Sequence, residues 1–302
     1  MRSKPAGGVP ASPEPGSRTV GILCGFAVIL LFSGFTLVSR LGLPSSLHVL
    51  DIAALRFGVS GMLLLPVLLH YGRAGIRWRD AAALTFTGGL GFALFAYHGF
   101  ALAPAAHGAV LLHGTLPLFT FVLAWLASSA TASGRRTFGL ATILAGVVAM
   151  AWDSVAASDR QQLLGDGSLL LASICWSAYG LLARRLGLPP ARSAAIVAVL
   201  SMCCYLPVYL LLPDRNLLQV PWRELALQAL FQGVLIGAVS IFVYSRAVAT
   251  LGAMETALFT AAVPGVTTVM AVLLLGEVPG VPGWTGVVVV TAGMAIALGS
   301  RK

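Results

Sequence analysis

Apolar positions in this chain come in long runs separated by short polar breaks. The runs lie near 20–39, 51–70, 81–103, 106–127, 137–153, 168–184, 191–212, 224–247, 253–275 and 281–299. Each approaches the ~17–25 residues that a helix needs to cross a hydrocarbon core. The pattern predicts an all-α polytopic membrane protein with ten transmembrane helices. Most connections are hairpin-length, so sequential helices should pack antiparallel, and no polar stretch is long enough for a soluble domain. Residues 1–18 differ, with Pro5, Pro10, Pro13 and Pro15 among Gly, Ser and Ala, the composition of a disordered tail. Arg2 and Lys4 ahead of an apolar run suggest a signal peptide. The run 20–39 is longer than an h-region and no small-residue cleavage site follows it, so it reads as the first spanning helix.

Composition agrees. The 302 residues are 58% hydrophobic and 10% charged, with a mean hydropathy of +0.92, outside the range of soluble domains. The net charge of +9 does not point to nucleic acid, because the basic residues sit between apolar runs and not on one face or in one block. Their placement sets an orientation. With the N-terminus cytoplasmic, Arg2, Lys4, Arg18, Arg73, Arg77, Arg79, Arg135, Arg136, Arg184, Arg185, Arg192, Arg301 and Lys302 fall inside and Arg40, Arg160, Arg215 and Arg223 outside. This is the positive-inside bias. Asp153, Asp159, Asp166 and Asp214 fall outside. Trp78, Trp152, Trp222 and Trp284 stand at run ends, where interfacial anchors belong. Cys24, Cys175, Cys203 and Cys204 lie inside apolar runs without C-x-x-C spacing, which argues against a disulfide framework or a zinc site.

The chain is internally duplicated. Residues 97–130 and 244–277 share one layout at a constant offset of 147, pairing Tyr97 with Tyr244, Leu111 with Leu258, Pro117 with Pro264 and Thr120 with Thr267. The register continues through Gly139/Gly286 and Gly146/Gly293, and Arg40-Leu41-Gly42-Leu43-Pro44 recurs as Arg185-Leu186-Gly187-Leu188-Pro189. The expected domains are a tail (1–18) and two five-helix repeats (19–155 and 166–300). An odd number of spans per repeat inverts the second repeat relative to the first, an arrangement characteristic of secondary transporters.

Pro117 and Pro264 fall mid-run, where a proline frees a backbone carbonyl that needs a partner or a water-lined cavity. At 100° per residue His113, Pro117 and Thr120 share a face, as do Thr260, Pro264 and Thr267, extended by Thr256. These two stripes are the candidate substrate-cavity lining, with Tyr97 and Tyr244 as aromatic walls. Helix packing through Thr and Pro is the competing reading. Arg246 and Glu255 face each other across a hairpin and are candidates for an ion-paired gate or, for Glu255, a proton-coupling site. The competing reading is that both snorkel to the interface, and Arg56, near Asp51, is read in the same way. His98, His107 and His113 lack metal-ligand spacing. Gly88, Gly89, Gly91, Gly233 and Gly237 are expected to allow close helix contact. H-E-x-x-H, G-x-S-x-G, Walker and dinucleotide-binding patterns are missing, so an enzyme is not expected and no cofactor is implied.

Several residues carry a family resemblance: Ala247-Val248 through Pro264, Leu274-Leu275-Gly276-Glu277, Gly286, Ala292-Gly293 and Leu55-Arg56-Phe57. With the five-plus-five plan, the chain resembles the EamA branch of the drug/metabolite transporter superfamily from about residue 20 to 299. The resemblance implies a permease of the cytoplasmic (inner) membrane with both termini cytoplasmic, often an exporter of amino acids or other small metabolites. It also implies a substrate cavity between the halves. The first repeat departs from the pattern, with Ser129-Ala130 where the second has Gly276-Glu277, and Glu277 is expected to cap and orient the turn that follows it. The expected partners are a small-molecule substrate, the lipid bilayer and a proton as coupling ion, and nothing in the sequence indicates an oligomer. A non-transport membrane scaffold, or an accessory subunit of a membrane enzyme complex, is the alternative, and it would not need polar groups converging at mid-membrane.

Overall fold

The computed structural model describes residues 15–43, 47–72, 75–128, 133–156, 159–213, 217, 219–251 and 253–298. The helices are α1 (Pro15–Gly42), α2 (Val49–Tyr71), α3 (Trp78–Leu102), α4 (Ala105–Ala127), α5 (Gly134–Ala156), α6 (Arg160–Arg185), α7 (Pro190–Leu211), α8 (Trp222–Leu251), α9 (Glu255–Leu275) and α10 (Val281–Leu298). Among the described residues, nine helices are long and apolar enough to cross a membrane; α5, at 23 residues, is not counted with them. The first helix begins at Pro15, inside the expected tail, since proline is tolerated in a first helical turn. The rest of that tail with Arg2 and Lys4, and also Arg73, Ser129, Ala130, Asp214, Arg215, Arg301 and Lys302, lie outside the described residues.

Polarity is inverted relative to a soluble protein. Leu30, Leu69, Leu211, Leu273 and Val281 are exposed, while Asp51, Arg56, His107, His113, Gln228 and Gln232 are buried. A continuous apolar exterior is a surface made for lipid. The buried polar groups are mostly satisfied internally, as a medium without water demands. The Gln228 amide donates to the Val38 carbonyl (2.7 Å), the Gln232 amide donates to Ser39 Oγ (2.9 Å), and Tyr209 donates to Asp51 (2.5 Å).

The mid-run prolines do more than kink their helices. In α4 a π-helical segment, Gly108–Gly114, ends at Thr115, and a new helix Leu116–Ser128 starts with Pro117 as its second residue. In α9 the segment Ala253–Ala261 ends at Ala262, and Val263–Leu275 starts with Pro264 as its second residue. Proline lacks an N–H, and N–H groups in a first turn have no intrahelical acceptor, so each proline restarts a helix without losing a bond. The two restarts share the 147 register of the sequence repeat. They also adjoin, since a Cβ on Gly114 would lie 3.8 Å from Pro264 Cγ.

Repeated glycines bring α5 and α10 together. A Cβ on Gly139 would lie 2.4 Å from the Ala297 nitrogen, and one on Gly293 2.7 Å from the Ile143 nitrogen. Gly146 and Gly286 similarly abut each other's helices, as small residues do in membrane helix packing. Gly21, Gly25 and Gly34 let α1 lie against the second half, on Leu251, Phe259 and Phe231 respectively. Four of the five expected glycine contacts of α3 and α8 form too, with Gly88 on Tyr179, Gly89 on Ser201, Gly233 on Val59 and Gly237 on Ser60, whereas a Cβ on Gly91 would meet first Phe86 of its own helix.

Helices α1 and α9 run in the same direction and are tied at both ends. At one end Arg18 pairs with Glu255 at 3.4 Å, with side chains 63% and 49% exposed. At the other, Arg40 pairs with Glu277, with side chains 20% and 22% exposed. The Arg18–Glu255 pair is a solvated surface contact of at most about 1 kcal/mol. Glu255→Gln is therefore expected to shift the unfolding free energy by less than about 1 kcal/mol and to lose even that in high salt, measured by denaturant titration in detergent.

Candidate functional site

Two adjoining cavities share Arg56, Trp176, Ile236 and Ser240 in their walls. One extends toward Ser60, Gly88, Gly89, Tyr179 and Val197. The other extends toward Phe32, Phe35, Phe92, Leu112, His113 and Leu116. The walls come from both repeats: α1 to α4 from the first, and α6, α7 and α8 from the second. The π-helical segments Phe86–Leu90 of α3 and Ala229–Val239 of α8 both reach this region through Gly88, Gly89, Ile236 and Gly237. Such i→i+5 segments are rare and concentrate at functional sites.

Arg56 is the centre of the site, and the expectation that it snorkels or pairs with Asp51 is corrected. It is only 7% exposed. Its guanidinium lies 5.3 Å from the Phe35 ring centroid and 5.4 Å from that of Phe92, packed against a pair of rings that stack on each other at 5.9 Å. The Tyr97 hydroxyl is beside it. Among the described residues no carboxylate forms an ion pair with it, and its Nη1 has no hydrogen-bond partner. Asp51 instead accepts from Tyr209 and from the His48 backbone N–H (2.9 Å). An ionised side chain inside a membrane helix is costly, and those that occur usually face the bundle interior and have a task.

The sequence candidates distribute around this centre. His113 lines the second cavity; its ring stacks on Phe32 (5.5 Å) and its Nδ1 has no hydrogen-bond partner among the described residues. Tyr244 stacks on the same Phe32 at 6.4 Å, so Tyr244, Phe32 and His113 form one column. Tyr97 is fully buried behind Arg56 and donates to Gln232 Oε1 at 3.1 Å. Pro117 and Thr120 follow the α4 break and are half-buried. On α9, Pro264 is buried, Thr260 donates to the Ala257 carbonyl (2.8 Å), and Thr267 is fully buried with no partner for its hydroxyl among the described residues. Among the described residues, none of α9 lines either cavity. The expected contact between Arg246 and Glu255 is also corrected: Arg246 is exposed and Glu255 pairs with Arg18.

Glu277 has a different task from orienting its own turn. Gly276, at φ 68°, takes the left-handed conformation that ends α9, and the next residue projects toward the first half. Its carboxylate pairs with Arg40 and accepts the Ala105 backbone N–H at 2.7 Å, at the positive N-terminal end of α4. Arg40 Nη1 donates to the Phe100 carbonyl at 2.8 Å, near the end of α3. Four helices thus meet in one charge-assisted cluster. Nearby in sequence to Ala105, His107 Nδ1 lies 2.8 Å from Asp166 Oδ1, and both side chains are buried. Among the described residues no group of three or more His, Cys, Asp or Glu side chains could hold a metal ion.

Comparison with known proteins agrees with this architecture. The family model for the EamA-like transporter family matches twice, over residues 19–152 and 163–299. The chain is 31% identical to the uncharacterized protein PA1977 of Pseudomonas aeruginosa over 296 residues, 95% of this chain and 96% of that one. It is 24% identical to the uncharacterized transporter YyaM of Bacillus subtilis over 232 residues, 72% of this chain and 74% of that one. A solved crystal structure shares the fold, with a TM-score of 0.63 at 20% identity, covering 93% of this chain and 96% of that chain. The exposed apolar helices and the doubly matched family model make the chain a multi-pass integral membrane protein, and it belongs to the EamA-like transporter family of the drug/metabolite transporter superfamily.

Proposed function

We propose that the protein is a secondary transporter that exports a small organic metabolite, such as an amino acid or a derivative, by alternating access. The observation that carries this reading is a cavity that holds Arg56, His113 and Ser240 inside an apolar bundle, walled by helices of both repeats and bordered by broken or π-helical segments. In this reading the ten helices form two inverted five-helix repeats in the cytoplasmic membrane, with both termini in the cytoplasm. The distribution of Arg and Lys supports that orientation. The Arg40–Glu277 cluster then closes the outer face, and Arg18–Glu255 stands at the inner one.

Export against a gradient needs an energy source, and the proposed one is the proton gradient, with Glu255 as the sequence's candidate coupling group. A Glu255→Gln variant whose transport keeps its pH dependence would remove Glu255 from that role. The transport reading is tested by comparing the metabolites in culture medium with and without overexpression, because an exporter enriches its substrate outside. His113→Leu is expected to reduce that enrichment at least severalfold while the variant still inserts. Thr260→Val tests the α9 stripe in the same assay. Unchanged export in both variants would remove these residues from the pathway.

A further inference from the structure

We infer that Arg56 is the anchor for a carboxylate, and that the cavity takes small organic acids with an apolar or aromatic body. The inference rests on the transporter reading for its context but on separate observations for its content. Arg56 is more than nine-tenths buried, lies in the wall shared by both cavities, and has an Nη1 without a hydrogen-bond partner among the described residues. A guanidinium presents its N–H donors in a planar fork that matches a carboxylate, so a buried Arg56 in the wall of both cavities, with its Nη1 unpartnered among the described residues, is half of a recognition pair. His113, whose buried Nδ1 has no hydrogen-bond partner among the described residues, lines the same cavity as Arg56.

The rest of the wall defines the body of the ligand. Phe32, Phe35, Phe92, Leu112 and Trp176 are apolar or aromatic, and among the described residues no Asp or Glu lines either cavity. An organic cation would find no counter-charge there and would meet Arg56 at close range, where repulsion is strong in a low-dielectric site. A neutral molecule would leave the buried charge as it is. A carboxylate satisfies the free donor and neutralises the charge in one contact, and the aromatic wall takes its apolar body. Packing of the guanidinium against the stacked Phe35 and Phe92 rings restricts the fork before the ligand arrives, which lowers the ordering cost of binding.

The test uses the full-length protein in lipid nanodiscs and a matched set of probes: 3-phenylpropionate, 3-phenylpropanol and 3-phenylpropylamine. Calorimetric titration is expected to show the carboxylate binding at least tenfold more tightly than the alcohol, with the amine weakest. Arg56→Gln should weaken the carboxylate at least tenfold and leave the alcohol unchanged, and Arg56→Lys should recover part of the loss. If the variants do not insert, the probe series on the unaltered protein decides alone. Equal binding of the three probes, no binding of the carboxylate, or an Arg56→Gln variant that binds it unchanged would overturn the inference. Flux in proteoliposomes separates this from the transporter reading. Carboxylate binding without flux leaves the site and removes the transport reading, whereas metabolite export without carboxylate binding does the opposite.

Discussion

Glu277→Gln is expected to destabilise the protein by about 3 kcal/mol, several times the effect of Glu255→Gln, although each glutamate pairs with an arginine of α1. The environments decide. Removing one member of a buried ion pair leaves the other charge uncompensated, at a cost of ~3–5 kcal/mol, whereas exposed pairs are worth ~0.2–1 kcal/mol. Arg40 and Glu277 are about one-fifth exposed, Arg18 and Glu255 about one-half to two-thirds, which puts the first pair near the lower end of the buried range. Glu277 also serves the N-terminus of α4 through the Ala105 N–H, an interaction that a neutral amide oxygen makes less strongly. For that reason exchanging the two charges, Arg40→Glu with Glu277→Arg, should not restore stability, since it aims a cation at a positive helix end. Denaturant unfolding in detergent, with both single variants and the exchange side by side, checks all three expectations. A Glu277→Gln variant within about 0.5 kcal/mol of the unaltered protein would show that the cluster contributes no more than a surface pair.

The same cluster has a mechanical consequence. It joins α1, the end of α3 and the start of α4 to the end of α9, so in an alternating-access cycle this face opens only when it parts. Glu277→Gln should therefore raise the open fraction at this face as well as lower stability. A cysteine placed at Leu43, in a background without Cys24, Cys175, Cys203 and Cys204, should react faster with a membrane-impermeant thiol reagent in that variant.

Most of the architecture was legible because it depends on local and periodic features. The apolar runs mark helices directly, and the paired prolines lie at the same register as the two helix restarts, at Leu116 and Val263. The spacing of Gly139, Gly146, Gly286 and Gly293 belonged to the repeat, and the structure supplies its reason in the α5–α10 contact. The site was less legible, for two physical reasons. A helical wheel assigns faces at 100° per residue, and the π-helical turns of Gly108–Gly114 followed by the break at Thr115 change the rotation between His113 and Pro117. Nor does a wheel name neighbours. Glu255 was matched with Arg246 across a short hairpin, while its partner Arg18 comes from the far end of the chain. Arg56 was visible as a cation inside an apolar run with no acid one turn away on either side. That signal could have marked it out, but proximity to Asp51 in sequence suggested a pair that Tyr209 and the His48 N–H pre-empt.

Gly139→Leu is expected to yield no correctly folded protein, and Gly139→Ala to lose about 1–3 kcal/mol, the usual cost of forcing added volume into a packed site. A β-carbon at this position would stand 2.4 Å from the Ala297 nitrogen and 2.7 Å from its Cα. These are backbone atoms, so no rotamer change can relieve the clash and α5 and α10 must separate along their length. Separation would also disturb the α4 break, because Val290 of α10 sits where Cβ atoms on Gly114 and on Gly146 would be. Gly180→Ala is the matched control. A Cβ there meets nothing within 4 Å on an exposed position of α6, and the gain in helix propensity should leave stability unchanged or raise it by up to ~1 kcal/mol. Thermal unfolding of the detergent-purified variants, with size-exclusion yield for Gly139→Leu, distinguishes these outcomes. If Gly139→Ala were as stable as Gly180→Ala, the α5–α10 contact would be looser than the glycine register implies, and the repeat would have to be explained by something other than close packing.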